Sequence, residues 1–200
     1  MNASESDFQI IYDEFHSKIL RYLSHMTGET EAEDLVQEVF IKVHQALNNF
    51  RGDSKLSTWI YRIATNIAID RLRNPSFKII IETNSINETG EIFESETDEK
   101  VEGIEDKKPM LERQVIIKQM NECIRGYVEK LPESYRTVLV LSEWEGLRDN
   151  EIAEILNTPI STVKIRLHRA KVKLKEALIA HCGPYWIEEN EFLPDLKKYL

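Results

Sequence analysis

Apolar residues recur every three or four positions through most of this chain. Phe8, Ile11, Tyr12, Phe15, Ile19, Leu20 and Leu23 form one such stripe, the period of a helix buried along one side. Gly28 breaks it. Thr30-Glu31-Ala32-Glu33 has the form of a capping box, and the helix it opens carries Leu35, Val36, Val39, Phe40, Val43 and Leu47. A polar loop, Asn48 to Ser54, leads to a third helix from about Ser57 to Arg73, with Trp59, Ile60, Ile63, Ile67 and Leu72. Further on, Val115 to Lys130 reads as a helix. Leu131-Pro132-Glu133 restarts the chain with proline at a first turn, and Tyr135, Val138, Leu139 and Leu141 continue the pattern to Trp144. No segment alternates as a strand would, so the expected class is all-α.

Residues 146–175 change the picture from a plain helical protein to one with a recognition element. Ile152, Ala153 and Leu156 line a short helix, Asn157-Thr158-Pro159 makes a polar turn, and a second helix begins at Ser161 or Thr162. Asn157 tolerates the left-handed conformation that ends a helix. Pro159 disfavours helical geometry at Thr158, and Ser161 has the right chemistry for an N-cap. Val163, Leu167, Ala170 and Leu174 form the inner stripe of the second helix. Ser161, Thr162, Lys164, Ile165, Arg166 and His168 are left outside near its start. This is a helix-turn-helix, in which the start of the second helix meets base edges in the major groove.

Charge sharpens that reading. Lys164, Arg166, Arg169, Lys171, Lys173 and Lys175 follow one another with no acid before Glu176, in a chain whose net charge is −9. Such a concentration of positive charge marks a phosphate-binding face; a solvated basic helix on an ordinary bundle is the plain alternative. Most of the acidity sits in residues 81–110, which hold ten acids and three bases. Low hydrophobicity and high charge between Pro75 and Pro109 predict a flexible acidic linker over 75–110. The expected organisation is therefore a helical domain over 1–74, the linker, a helix-turn-helix domain over 111–180, and an extension over 181–200.

Composition excludes several classes. No apolar run approaches the roughly 20 residues of a membrane span, and the N-terminus lacks a basic start followed by an apolar stretch. The expected location is the cytoplasm, without membrane insertion. Cys123 and Cys182 are too few for a disulfide framework, and His181-Cys182 lacks zinc-ligand spacing. No phosphate-cradling glycine loop, HExxH, GxSxG or CxxC occurs. We expect no catalytic residues, no metal and no cofactor.

Two blocks of residues resemble a known family. The first holds Asp34-Leu35-Val36-Gln37-Glu38-Val39-Phe40, then Phe50-Arg51-Gly52 and Thr58-Trp59-Ile60-Tyr61-Arg62-Ile63-Ala64-Thr65-Asn66. The second holds Leu131-Pro132-Glu133, Glu151-Ile152-Ala153-Glu154-Ile155-Leu156 and Val163-Lys164-Ile165-Arg166-Leu167-His168-Arg169-Ala170. Together, in this order across an acidic segment, they resemble the bacterial RNA polymerase sigma factors of the extracytoplasmic-function branch, group IV of the sigma-70 family. Ordinary helix-turn-helix regulators lack the first block.

The resemblance implies roles. Asp34, Gln37, Glu38 and Lys42 would dock on the clamp helices of the polymerase's largest subunit. Asn48, Phe50, Arg62, Asn66, Arg71 and Arg73 would open and read the −10 promoter element. Tyr61 is a further suitable type, and Trp59 suits core packing at least as well. Ser161, Thr162, Lys164, Ile165, Arg166, His168, Arg169 and Lys171 would bind the −35 element. Within that set, Lys164, Ile165 and His168 match positions that face bases, while Ser161, Arg166, Arg169 and Lys171 suit phosphates. Ile165 stands where a small polar residue is common and favours a thymine methyl. The implied partners are core RNA polymerase, promoter DNA and an anti-sigma protein. Two other classes stay open on residues alone: a DNA-binding regulator whose first domain senses or dimerises, and an enzyme carrying the second domain as a targeting module.

Overall fold

The computed structural model describes residues 5–74 and 123–181 and two short strands near the C-terminus. The linker 75–110, the start of the helix expected from Val115, and most of the tail 181–200 lie outside the described residues.

The first bundle contains α1 (Glu5–Thr27), α2 (Glu29–Ala46) and α3 (Leu56–Arg73), with a single 3-10 turn at Leu47–Asn49 between the last two. The predicted stripes meet in its core: Ile19, Leu23, Met26, Val39, Val43 and Ile60 are wholly buried. Inside it the Tyr22 hydroxyl and Thr65 Oγ1 share a hydrogen bond of 2.9 Å. Gly28 sits between α1 and α2 at φ 91°, where glycine avoids the strain of a side chain. The capping box expected at Thr30 does not form. Helix α2 starts at Glu29 with Gly28 as its N-cap, and Glu29 and Glu31 complement its positive end instead.

The second bundle contains α4 (123–129), α5 (Glu133–Leu139), α6 (Asp149–Ile155) and α7 (Ile160–His181). Cys123, in α4, is disulfide-bonded, which the cysteine count did not predict. The helix expected to run to Trp144 does so, but its last part, Val140–Trp144, widens into a π turn. There Glu145 N donates to Val140 O at 3.1 Å and Leu147 N to Leu141 O at 3.0 Å. Asn157 takes the predicted left-handed conformation, φ 46°. Helix α7 starts at Ile160, and Thr162 N and Val163 N donate to Pro159 O at 2.9 and 3.2 Å. Ser161 therefore lies inside the first turn and is not its cap. One strand pair escaped the sequence reading: Ile187–Glu188 lies antiparallel to Glu191–Phe192. Two residues a side are too few to register as alternation, and the fold class remains all-α.

The two bundles share one apolar core. Helix α3 lies against α5 and α6, and α1 against the π turn. Arg136 of α5 is buried at this junction. Its Nη1 donates to Met26 O at 2.7 Å, and its Nη2 donates to Glu129 O and, at 3.4 Å, to Leu131 O. Burial pulls its guanidinium below the ordinary arginine range, but these carbonyls hold the charged form in place.

Candidate protein and nucleic-acid interfaces

Asp34, Gln37, Glu38 and Lys42 are all exposed on α2. Offsets of three and four residues put them on one side of the helix, opposite Leu35, Val36, Val39 and Val43, which face the core. Lys42 Nζ lies 2.8 Å from Glu38 Oε1. Ile41 is exposed beside them and, with Gln37, edges an aromatic groove of about 460 Å³ floored by Phe8, Tyr12 and Phe40. No described element covers this face.

The six residues matched to the −10 region fall into separate groups. Asn48 is exposed at the 3-10 turn, and Phe50 is half-buried with its ring 5.0 Å from that of Trp59. Arg62, Asn66 and Arg73 lie on one side of α3, because intervals of four and seven residues return to nearly the same angle. Arg71 lies on the opposite side, ion-paired with Glu31 of α2. The structure therefore brings together Arg62, Asn66 and Arg73, and does not bring Arg71 to them. The side carrying them faces the second bundle. Arg62 Nη2 donates to Glu154 O at 3.0 Å and lies 3.5 Å from its carboxylate. Arg73 makes a two-pronged pair with Glu133, at 2.8 and 3.0 Å.

The residues matched to the −35 region are gathered by α7. Ser161, Lys164, Ile165 and His168 are exposed at spacings that share one face. Arg169 and Lys171 are exposed farther along, and Thr162 and Arg166 are half-buried beside them. Lys171 Nζ lies 2.9 Å from Glu143. Val163, Ala170 and Leu174 anchor the inner side. The first turn of α7 thus presents side chains and a positive helix end outward, as groove binding requires.

Several residues at the junction were missed by sequence reasoning. Lys55, just before α3, reaches Glu151 Oε1 at 2.7 Å; its seven-residue spacing from Arg62 was a usable signal. That contact comes first among the causes holding Glu151 below the usual carboxylate range. The Glu145 carboxylate is almost wholly buried and meets Arg21 Nη2 at 3.3 Å. His25 packs its ring 5.1 Å from that of Trp144, and burial, reinforced by Arg125 and Arg21, lowers its pKa to about 4. Nothing local in the sequence marks the Arg21–Glu145 and His25–Trp144 pairs, because their partners are more than a hundred residues apart.

Comparison with known proteins places the chain in a family. Residues 11–76 match the description "Sigma-70 region 2", and residues 121–174 match "Sigma-70, region 4". The chain is 36% identical to the ECF RNA polymerase sigma factor SigW of Bacillus subtilis, over 88% of this chain and 91% of that one. It is 35% identical to the RNA polymerase sigma-H factor of Pseudomonas aeruginosa, over 86% of each. It is 33% identical to the ECF RNA polymerase sigma-E factor of Escherichia coli K12, over 84% of this chain and 85% of the relative. Two solved structures share the fold. RpoE of Bartonella quintana, in complex with the anti-sigma factor NepR, superimposes with a TM-score of 0.59 at 20% identity, covering 88% of this chain and 98% of that one. CnrH in complex with the cytosolic domain of CnrY gives 0.58 at 21%, covering 90% and 92%. The chain belongs to the extracytoplasmic-function sigma factors of the sigma-70 family.

Proposed function

We propose that this chain works as a sigma factor with three separate contact surfaces. The α2 face of Asp34, Gln37, Glu38 and Lys42 binds core RNA polymerase. The α3 face of Arg62, Asn66 and Arg73, with Asn48 and Phe50 at its approach, holds the −10 element once its strands part. The outer face of α7, from Ser161 to Lys171, reads the −35 element as duplex. Arg71 belongs to this reading only as a supporting residue that braces α3 against α2. The chain directs initiation and carries out no chemistry. It acts in the cytoplasm with promoter DNA, and an anti-sigma protein is its regulator. The domain limits that go with this reading are 1–74 and 111–180, with 75–110 as tether.

One observation carries the proposal. The α2 face and the α7 face are exposed together on different helices of one body, so polymerase and duplex can be held at once. Transcription reconstituted with core polymerase, with and without this chain, tests the whole reading. Within it, Asn66→Ala is expected to lower opening of the −10 region, followed by a fluorescent base, more than it lowers binding to duplex −35 DNA. Equal losses in the two assays would remove the single-strand role from α3.

A further inference from the structure

A cavity of about 530 Å³ lies where α1 meets the second bundle. Arg21 and His25, one turn apart on α1, and Glu29 at the start of α2 are the first bundle's part of its lining; Arg125 of α4, Trp144 and Glu145 are the second's. Its volume falls in the range of small-ligand sites, about 300–1,000 Å³. The π turn over Val140–Trp144 ends at this cavity. Such turns recur at functional sites, and here two consecutive side chains serve the same space. Trp144 packs its ring 5.1 Å from that of His25, and Glu145 lies 3.3 Å from Arg21 Nη2. None of the six belongs to the three contact surfaces described above.

The cavity holds more donors than it uses. Arg21 gives Nε and Nη2 to Glu145 at 3.5 and 3.3 Å, and Arg125 gives Nη1 to Glu29 at 2.7 Å. A guanidinium carries five donor hydrogens, so these bonds leave some over on each. Glu145 is committed to Arg21 and Tyr61. The Glu29–Arg125 pair is exposed on both sides, and a pair of that kind is weak and readily exchanged for a stronger acceptor. Trp144 Nε1 is buried without an acceptor. No hydrogen bond pins the indole, and a small turn of the ring toward the cavity would let a bound anion accept its N–H. His25 adds a ring and no charge, because burial first, and then Arg125 and Arg21, hold it neutral. Two guanidiniums beside two packed rings suit a phosphate joined to a flat base: its oxygens can accept from both forks, and the base can lie against the rings.

We propose that this cavity binds a nucleoside phosphate, with the phosphate on Arg21 and Arg125 and the base against Trp144 and His25. The chain thereby has a small-molecule site apart from its polymerase and DNA surfaces. The inference stands independently of the promoter roles given to α3 and α7.

The test is calorimetric titration of the full-length chain with AMP, GMP, guanosine and inorganic phosphate. At least one of the two nucleotides is expected to bind one-to-one with a Kd below about 1 mM, and guanosine and phosphate alone each at least about tenfold more weakly. Arg125 gives up only an exposed pair, so Arg125→Ala is expected to fold like the parent chain and to weaken nucleotide binding about tenfold. Trp144→Phe keeps a ring and removes the N–H, and is expected to weaken it several-fold; if that variant melts early, Arg125→Ala alone decides. Lys164→Ala/Arg169→Ala, on the basic face of α7, is expected to bind nucleotide like the parent. Absence of saturable binding by both nucleotides overturns the site. Parental affinity in Arg125→Ala, or loss of binding in the α7 variant, assigns the nucleotide to α7 and overturns it as well. Phosphate binding as tightly as either nucleotide removes the base from the rings and overturns the nucleoside class.

Discussion

Tyr61 of the first bundle donates its hydroxyl to Glu145 of the second at 2.5 Å, across a separation of 84 residues. Burial, followed by the Glu145 charge, pushes the phenol far above its usual range, so it remains a donor. The carboxylate it meets is nearly inaccessible to water and has Arg21 as its other partner. Tyr61→Phe removes the donor and leaves the buried acceptor, which costs about 1–3 kcal/mol. A urea titration is expected to move its midpoint down with no change in slope. An unchanged midpoint would mean the pair contributes nothing to the junction.

Acid should loosen the same junction through His25. Its folded pKa of about 4 lies below the ordinary 6.5, so the unfolded chain takes up the proton first. Stability is full above about pH 6.5 and declines as pH falls toward 4. Between pH 7.5 and 5 the loss from this residue is about 1–2 kcal/mol. Denaturation of the parent chain and His25→Gln at both pH values measures it. The variant is expected to be less stable at pH 7.5 and to lose less on acidification; parallel losses would assign the acid sensitivity to other groups.

Charge reversal on α2 should separate binding from folding. Asp34 and Glu38 are exposed, and Glu38 gives up only a surface pair with Lys42, worth about 0.5 kcal/mol. Asp34→Lys/Glu38→Lys is expected to melt like the parent chain and to bind core polymerase at least about tenfold more weakly. A folded variant with parental affinity takes this face out of the interface.

Lys164 and Arg169 of α7 should fail in different ways. Lys164 lies in the first turn, and its replacement by alanine is expected to relax discrimination among −35 duplexes by about 1–3 kcal/mol. Arg169 lies more than a turn later, where phosphate is the expected contact. Its loss should weaken binding to all sequences and flatten the salt dependence by about one unit. Titrations over several salt concentrations distinguish them, and parental behaviour in both variants would leave α7 a solvated basic face.

Local pattern made the helices legible. The stripes through Ile19, Val39 and Ile60 became one core, and Asn157 turned the chain where its tolerance for left-handed backbone predicted. Helix starts were harder to read. Thr30 and Ser161 have capping chemistry, yet the chain enters α2 at Gly28 and α7 after Pro159, because backbone geometry decided the first turn. The α2 and α7 site residues were readable because each set is local to one helix and points away from an apolar stripe. The junction was not readable. Arg136 and Glu145 acquire their meaning from partners distant in sequence, and neither belongs to a periodic pattern; only the spacing of Lys55 from Arg62 gave a local hint.

The hydrogen bond from Arg136 to the Met26 carbonyl means that α1 borrows the finish of its last turn from the second bundle. A helix end completed this way is only as ordered as its neighbour is close. Loss of that hydrogen bond would take the outside support from the turn before Gly28, immediately ahead of the helix that carries Asp34 to Lys42. Amide exchange at Met26 and Thr27 is therefore a built-in gauge of whether the two halves of the molecule are together, readable without a label on either.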